Sequence, residues 1–330
     1  MAVMTDSVAH PGGAPSASTP PRRLLSVRRT TTHDCTRHDG LLGPVTVVAN
    51  GRDLLTTKDG RAIVLDAVRL DVLSLDGALT TLTSEPADAG LSKLVGVHAL
   101  AGFRRSLEEA LPGESTSGRV RFQLLDELPV AILASARALR AAGIPIDRKG
   151  RALPVDICAG WAAGGTLLAG FTEFGPPLRI GPQSPMLESE SDPFAWHLTA
   201  PLPAHSTRRR RRIDVWEEEG LAWVDTFFRD SHVGADGVET VVHEWTVRAE
   251  FDPATKRFVS GAAQTGPLPY PECPSAAASA GRLSGMPLDG LRRMVKSSFV
   301  GPSTCTHLTD TLRSMEDVGA LFANLRVFPQ

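Results

Sequence analysis

The chain has 330 residues, of which 42% are hydrophobic and 22% are charged, and its net charge at pH 7 is −2. This length suits two units of ordinary domain size, and the composition is typical of a globular protein with a sizeable core. A nearly neutral chain with 5% aromatic residues argues against a nucleic-acid-binding protein. No run of about 18 apolar residues occurs, so we expect no membrane span.

The cysteines and the N-terminal residues bear on the cellular compartment. The four cysteines lie far apart and form no CxxC pair, which argues against a zinc ribbon and a secreted disulfide framework. The first residues show no basic-then-apolar signal sequence. Residues 1–21 include a stretch rich in proline, serine, alanine and glycine, so we predict a disordered tail there. The expected location is the cytoplasm.

Two parts of the chain resemble each other, at residues 22–146 (the first segment) and residues 206–330 (the second segment). Similar residues recur in them in the same order. In the first segment these are Arg28-Arg29, Asp34, Arg52-Asp53, Asp59-Gly60, and Leu124 with Asp126; in the second they are Arg208-Arg209, Asp214, Arg229-Asp230, Asp236-Gly237, and Leu308 with Asp310. The shared order predicts an internal duplication.

Each segment is predicted to begin with β-strands. Alternating or apolar stretches predict strands at residues 22–32, 45–55 and 67–72 in the first segment, and at 208–215, 221–230, 245–251 and 256–260 in the second. An Asp-Gly pair follows the second strand of each segment. It predicts a tight hairpin, because such a turn needs the positive φ that glycine adopts readily.

Helical spacing of apolar residues follows the strands in both segments. It predicts helices at residues 100–111, 120–128 and 131–142, and again at 288–299 and 304–314. Pro112, Pro129 and Gly301 are expected to end three of these helices. Ser303 or Thr304 is the predicted N-cap of the last one.

These patterns together predict an α+β fold. It consists of two tandem copies of an antiparallel-sheet-plus-helices unit in a pseudo-two-fold arrangement. Residues 147–205 (the connector) match neither copy, and we expect this unique insert to line the contact between the copies. A small-molecule substrate is the expected partner. A homodimer is compatible with the sequence, whereas nucleic acid and membrane are not expected as partners.

The second segment resembles a bacterial family filed as domain of unknown function 2889. The residues that carry the resemblance are the Arg208–Arg212 run, Pro271–Pro274 (PECP), and Cys305-Thr306-His307-Leu308. The chain departs from the family pattern because Gly301-Pro302-Ser303-Thr304 stands where the family has a glycine directly before the cysteine. The resemblance implies an arginine-rich opening strand, a central sheet and a closing helix, and it implies no activity.

The arginine run itself has three interpretations. The first is a solvated edge strand whose arginines discourage aggregation between sheets, and this is the expectation that we favour. The second is a site for an acidic substrate group, such as a carboxylate or a CoA phosphate. The third, a nucleic-acid patch, conflicts with the near-neutral charge and the few aromatic rings.

The connector is glycine-rich, and its polar and aromatic residues are candidates for a site. They are Asp156, Cys158, Trp161, Asp192, Trp196 and His197. Aromatic walls with a few polar groups are typical of small-molecule pockets, and burial would bring a carboxyl or imidazole pKa toward neutrality. We therefore assign Asp156, Asp192 and His197 to proton transfer, and Cys158, Trp161 and Trp196 to substrate binding. The alternative is that the tryptophans only hold the connector against the sheets and that Asp192 makes a turn.

His307 and Asp310 form a second candidate group, because residues three apart share one face of a helix. We assign His307 a catalytic role and Asp310 a substrate-binding role. A helix N-terminus favours neutral imidazole and thiolate, so we expect a neutral His307 and an acidic Cys305 thiol. The alternative is that His307 only caps or packs at the interface between the copies.

No cofactor or metal is expected. His33, Asp34 and Cys35 hold ligand-type atoms, but strand alternation places Asp34 on the face opposite the other two. The leading hypothesis is a cofactor-independent acid–base enzyme (isomerase, lyase, cyclase or hydrolase) acting on a small hydrophobic or aromatic molecule or its acyl derivative. The competing hypothesis is a non-catalytic small-molecule-binding or assembly protein.

Overall fold

The computed structural model describes residues 10–100, 102–145, 150 and 152–327. Its strands are β1 (Ser26–Thr36), β2 (Val45–Thr56), β3 (Ala62–Leu75), β4 (Ala78–Glu85), β5 (Thr207–Glu218), β6 (Leu221–Val233), β7 (Glu239–Asp252) and β8 (Arg257–Thr265). Its α-helices are α1 (Phe103–Ala110), α2 (Val120–Ala134), α3 (Ala136–Ala141), α4 (Thr166–Ala169), α5 (Leu291–Ser298), α6 (Thr306–Ser314) and α7 (Val318–Val327). Short 3-10 helices lie at Ala89–Leu94, Glu114–Thr116, Ala159–Trp161, Cys273–Leu283 and Met315–Asp317.

All eight strands form one antiparallel sheet in the order β4-β3-β2-β1-β5-β6-β7-β8. The first and second segments meet where β1 pairs with β5, and we call this strand pair the seam. Its register places Arg28 opposite Asp214 and Asp34 opposite Arg208. Both strands are therefore central, with a hydrogen-bonded neighbouring strand on each side.

The helices pack against one face of the sheet. Side chains alternate between the two faces of a strand, so Val47 and Ala49 of β2 point toward Leu124 of α2. In the second segment, Trp245 of β7 and Leu308 of α6 share a core in the same way. An antiparallel sheet with helices on one face is an α+β arrangement, which confirms the α+β part of the predicted fold.

The opposite face of the central strands is covered by chain without regular structure. Residues 182–200 of the connector and residues 10–20 of the N-terminal stretch lie there. Ser16 donates from its backbone N and its Oγ to Glu244 Oε1 at 2.8 Å, and Thr19 Oγ1 donates to the carbonyl of Leu187 at 2.6 Å. The predicted disordered tail is thus wrong for residues 10–21, because buried partners satisfy its polar groups. Residues 1–9 lie outside the described part.

The connector passes from the helix side to the other face around the free edge of β7. On the helix side, the backbone N of Ala159 donates to the carbonyl of Thr304 at 2.7 Å. At the edge, the N of Val241 donates to the Pro182 carbonyl at 2.9 Å, and the N of Ser184 donates to the Glu239 carbonyl at 2.8 Å. The connector therefore pairs with backbone groups in the part of β7 that β8 does not reach. Such pairing protects an exposed strand edge from aggregation with another chain.

Several local predictions need correction, whereas the hairpins agree. Gly60 and Gly237 have φ of 83° and 79°, so both Asp-Gly turns are confirmed. Pro129 lies inside α2 and does not end it. The N-cap of α6 is Cys305 and neither Ser303 nor Thr304.

Candidate functional site

The five arginines of β5 are buried, with side chains that are at most 4% exposed. The predicted solvated edge strand is wrong, because β5 lies in the middle of the sheet. Each guanidinium reaches a carboxylate, as the cost of burying an unpaired charge requires. Two of the arginines face the helices, namely Arg209, which pairs with Asp230, and Arg211, which pairs with Glu127. The other three face the connector: Arg208 pairs with Asp34, Arg210 with Glu188, and Arg212 with both Asp214 and Asp225.

On the helix side, α2 and α6 bring further charges to the seam. Glu127 Oε1 accepts from Arg211 Nε at 2.6 Å. Asp126 accepts from Arg313 at 3.1 Å, and Arg313 also reaches Asp310 at 3.2 Å. Although burial opposes ionisation, Arg313 and Arg104 outweigh it and lower the pKa of Asp126 to about 2. We call these groups the seam network: Arg209, Arg211, Arg313, Asp126, Glu127 and Asp310.

The charges of the seam network nearly cancel, and its side chains leave little empty space between them. A cavity of about 10 Å³ remains between Glu127, Asp310 and Arg292, which is room for about one water molecule. Within the described residues, Arg211 Nη1 and Nη2 and Glu127 Oε2 have no hydrogen-bond partner. Asp310 is thus held in an ion-pair network, and burial raises its pKa against the effect of Arg209 and Arg313.

His307 stands beside this network in a different setting. Its Nε2 is 3.5 Å from Asp230 Oδ2, and its Nδ1 is 3.8 Å from Cys305 Sγ. His243 of β7 stacks on it with ring centroids 3.7 Å apart, and Phe228 lies on another side at 5.8 Å. The His307 side chain is 22% exposed, so solvent reaches it. We call Cys305, His307, His243 and Asp230 the histidine group.

The protonation states of the histidine group follow from burial and from nearby arginines. Burial, Arg209 and Arg211 lower the pKa of His307 to about 3, so the imidazole is neutral as predicted, although for other reasons than a helix terminus. Burial raises the pKa of Cys305 to about 12. The expected acidic thiol at this helix N-terminus is therefore wrong, because desolvation of the thiolate outweighs the helix dipole.

The connector residues near His197 lie on the other face of the sheet. His197 Nδ1 is 2.9 Å from Thr30 Oγ1, and Trp196 Nε1 donates to Thr32 Oγ1 at 3.3 Å. Burial, followed by Arg52 and Arg210, lowers the pKa of His197 to about 3. His197 Nε2 has no partner among the described residues.

Asp192 makes a turn, as the alternative interpretation had it. Its Oδ1 accepts from the backbone N of Phe194 at 3.0 Å, and its Oδ2 accepts from Arg22 Nε at 2.8 Å. Although burial opposes ionisation, Arg22 and this backbone N–H lower the pKa of Asp192. The carboxylate is engaged on both oxygens.

Asp156, Cys158 and Trp161 lie on the helix side and do not meet His197. Asp156 is exposed, has φ of 61°, and accepts from the backbone N of Ala163 at 2.8 Å. Trp161 packs against Phe171 at 5.9 Å, next to the core that contains Phe228. Trp196 contacts Phe227 of β6. Phe227 is adjacent to Phe228 in the strand, so its side chain points to the face of the sheet opposite the helices. The sheet therefore separates the proposed pair Asp156 and His197.

The thiols of Cys158 and Cys273 are both buried. Cys158 is 7% exposed, and burial raises its pKa. A Cβ on Gly160 would lie 3.0 Å from Cys273 Sγ, so a side chain there would press on that thiol. Cys158 is thus a buried thiol, and its role in substrate binding stays a prediction.

Sequence reasoning missed two members of the histidine group. Asp230 matches Asp53 in the predicted repeat, and Arg29 pairs with Asp53 as Arg209 pairs with Asp230. That correspondence could have marked Asp230 as buried. His243 carries no comparable signal, because only the register of β6 and β7 places it opposite Asp230.

A larger groove of about 440 Å³ lies elsewhere on the helix side, between the two segments. It is lined by apolar side chains such as Phe251, Leu288 and Phe322 and by charged ones such as Lys256 and Glu316. It contains none of the predicted site residues.

Two further findings concern the part of the chain that the structure describes. No helix there has both the length and the apolar character needed to cross a bilayer. No group of three or more histidine, cysteine, aspartate or glutamate side chains is placed to hold a metal ion there.

Comparisons with known proteins give one match. No curated protein and no solved structure matches the chain. Residues 207–320 match the model of a family described as "Protein of unknown function (DUF2889)", which confirms the resemblance stated for the second segment.

Proposed function

We propose that the chain is a cofactor-independent acid–base enzyme that acts on a small organic molecule, with His307 as its proton acceptor. One observation carries this proposal. A partly exposed imidazole lies between a carboxylate and a thiol, with Asp230 3.5 Å from Nε2 and Cys305 3.8 Å from Nδ1. A histidine within reach of an orienting carboxylate is the common arrangement of a general base.

The electrostatics leave the imidazole unprotonated. With its pKa near 3, His307 has a free lone pair at neutral pH, and it is a weaker base than an imidazole that titrates near neutrality. Asp230 would favour the tautomer that carries its proton on Nε2, which leaves the Nδ1 lone pair toward Cys305. The bidentate pair between Asp230 and Arg209, at 2.8 and 2.9 Å, holds the carboxylate in place.

The neighbours of His307 restrict the nucleophile. Burial raises the pKa of Cys305 to about 12, so this thiol is not a nucleophile that a weakly basic imidazole activates. Isomerase, lyase, cyclase and hydrolase reactions therefore all stay within the proposal, with His307 taking a proton from the substrate or from an attacking water.

The architecture that we propose around this site is a duplicated unit. Both segments run through four strands and then helices, and β1 and β5 pair at the seam. Arg28 pairs with Asp214 and Arg208 with Asp34, which is the exchange that a two-fold axis between the strands would produce. In this proposal only the second segment keeps the base, since the counterpart of His307 is Gln123.

The test is turnover of a panel of p-nitrophenyl esters, acyl thioesters of N-acetylcysteamine and aromatic keto acids. His307→Gln should lower kcat by about 10²- to 10⁴-fold, because general-base catalysis contributes that much. The exposed His38 provides the control, His38→Gln, which should keep wild-type turnover. Full turnover by a folded His307→Gln protein would rule out this base.

A second candidate function is a non-catalytic binding or assembly protein. It is favoured by the internal pairing of Asp192 with Arg22 and of Asp310 with Arg313. Saturated carboxylates of this kind hold a fold together and leave few groups for catalysis. Panel compounds that raise the melting temperature without being converted would support this candidate.

A further inference from the structure

One buried arginine on the helix side differs from those of the seam. Arg137 of α3 is 7% exposed, yet within the described part of the chain no carboxylate lies within ion-pair distance of it. Its Nη2 donates to the carbonyl of Arg179, and its Nε has no hydrogen-bond partner. The buried arginines of β5, by contrast, all reach carboxylates.

Further positive groups surround Arg137. Arg140 lies one turn away on α3, and Arg179 approaches from the connector, with its Nε buried and unpartnered. Tyr270 lies among them and donates its hydroxyl to the Pro177 carbonyl at 2.9 Å. Among the described residues no carboxylate forms an ion pair with any of the three arginines. We call Arg137, Arg140 and Arg179 the arginine pocket.

The local field agrees with an excess of positive charge. Burial and then Arg140 lower the pKa of Arg137 to about 10. Burial and then Arg137 lower the pKa of His232, whose Nε2 also has no partner in the described structure, to about 3. An uncompensated buried guanidinium is costly, so a protein that keeps one gains when an anion neutralises it.

The charge of the arginine pocket acts on the histidine group through His243. The His243 ring stacks on His307 at 3.7 Å. Burial lowers the pKa of His243, and His307 and Arg137 lower it further although Asp230 opposes them. The positive charge of Arg137 therefore acts on the ring that stacks on His307.

We propose that the arginine pocket binds an oxyanion, a carboxylate or a phosphate, and that this oxyanion is the anchoring group of the substrate. Guanidinium groups are suited to this task, because their fixed N–H donors match the oxygens of both anions. The assignment of the anion to the substrate rests on the proposed role of His307. The binding of the anion does not.

The test measures anion binding directly, at constant ionic strength adjusted with sodium chloride. Inorganic phosphate and benzoate are titrated separately into the full chain, and heat and melting temperature are recorded. We expect saturable binding of at least one, and the preferred anion tells a phosphate ester from a carboxylic acid. Arg137→Gln should weaken it by at least about tenfold, because a buried charged donor is removed.

The matched control is Arg69→Gln, which removes an exposed arginine that is paired with Asp71 and should leave anion binding unchanged. Without anion, Arg137→Gln should unfold no more easily than the wild type, since it removes an unpaired charge. If Arg137→Gln fails to fold, Arg140→Gln provides the same comparison. Absence of saturable binding in the wild type, or equal binding by the arginine-pocket variant and the wild type, would overturn the proposal.

The outcome separates this inference from the proposed function. His307→Gln keeps the arginine pocket intact and should bind phosphate or benzoate as the wild type does. Anion binding with full turnover by His307→Gln would remove the base and leave the oxyanion site standing. Loss of turnover in His307→Gln without anion binding by the wild type would support the base and overturn the oxyanion site.

Discussion

His197 shows how a single buried imidazole makes stability depend on pH. Burial and nearby arginines lower its pKa from 6.5 to about 3 in the folded protein. Between these values the unfolded chain binds more protons than the folded one. The free energy of unfolding therefore has its full histidine contribution above pH 6.5 and loses it as the pH falls toward 3.

The corresponding prediction concerns His197→Gln. From pH 7 to pH 5, His197 should cost the wild type about 2 kcal/mol of unfolding free energy that the variant does not lose. Urea unfolding of both proteins at the two pH values measures this difference. His38→Gln, which removes an exposed histidine, should follow the wild type. Equal losses in wild type and His197→Gln would mean that His197 is not held neutral by its surroundings.

At the scale of one element, β5 shows that burial decides the value of an ion pair. Arg208 donates to both oxygens of Asp34 at 2.6 and 2.8 Å, and Arg69 donates to both oxygens of Asp71 at the same two distances. Arg208 is 4% exposed, whereas Arg69 is 44% exposed. The two ion pairs thus have the same geometry and differ in their exposure to solvent.

We predict that Arg208→Met destabilises the protein by about 3–5 kcal/mol, because Asp34 stays buried without a counter-charge. Arg69→Met should cost at most about 1 kcal/mol, since water and salt already screen that pair. Chemical denaturation of both variants at pH 7 provides the comparison. If Arg208→Met lowered the free energy of unfolding only slightly, the Arg208 side chain would be solvated, as its sequence alone led us to expect.

The sequence of β5 identifies a strand but not its place in the sheet. Alternation and the Asp-Gly turns depend on neighbouring residues, so strands and hairpins could be predicted. Burial of Arg208–Arg212 depends on β1, which is far away in the chain, and on carboxylates from α2 and the connector. Local composition favours a solvated edge, and only the long-range pairing overrules it.

For the molecule as a whole, the candidate site also combines features that the local sequence predicts with features that depend on distant parts of the chain. His307 could be predicted because a helix pattern places it near an acid. Its actual partners, Asp230 and His243, come from two strands whose register the sequence leaves open. Asp156 and His197 look close in a connector treated as one unit, yet the connector passes around the β7 edge and places them on opposite faces. The path of a chain without periodicity cannot be predicted from its residue types.

The seam also makes a prediction about the second segment alone. In the full chain β5 pairs with β1, so a fragment of residues 206–330 would expose the backbone edge and the arginines of β5. If the segments are copies, β5 can pair antiparallel with β5 of a second fragment, and Arg208 of each would face Asp214 of the other. We therefore expect this fragment to be a homodimer in sedimentation analysis.

Charge exchange tests whether the dimer uses this register. Asp214→Arg should separate the fragments, because it places like charges opposite Arg208 at both ends of the strand pair. Arg208→Asp combined with Asp214→Arg restores opposite charges at both positions and should restore the dimer. A wild-type fragment that sediments as a folded monomer would contradict self-pairing of β5. A dimer that tolerates Asp214→Arg would place the contact on another surface, and the pseudo-two-fold relation of the segments would lose its main support.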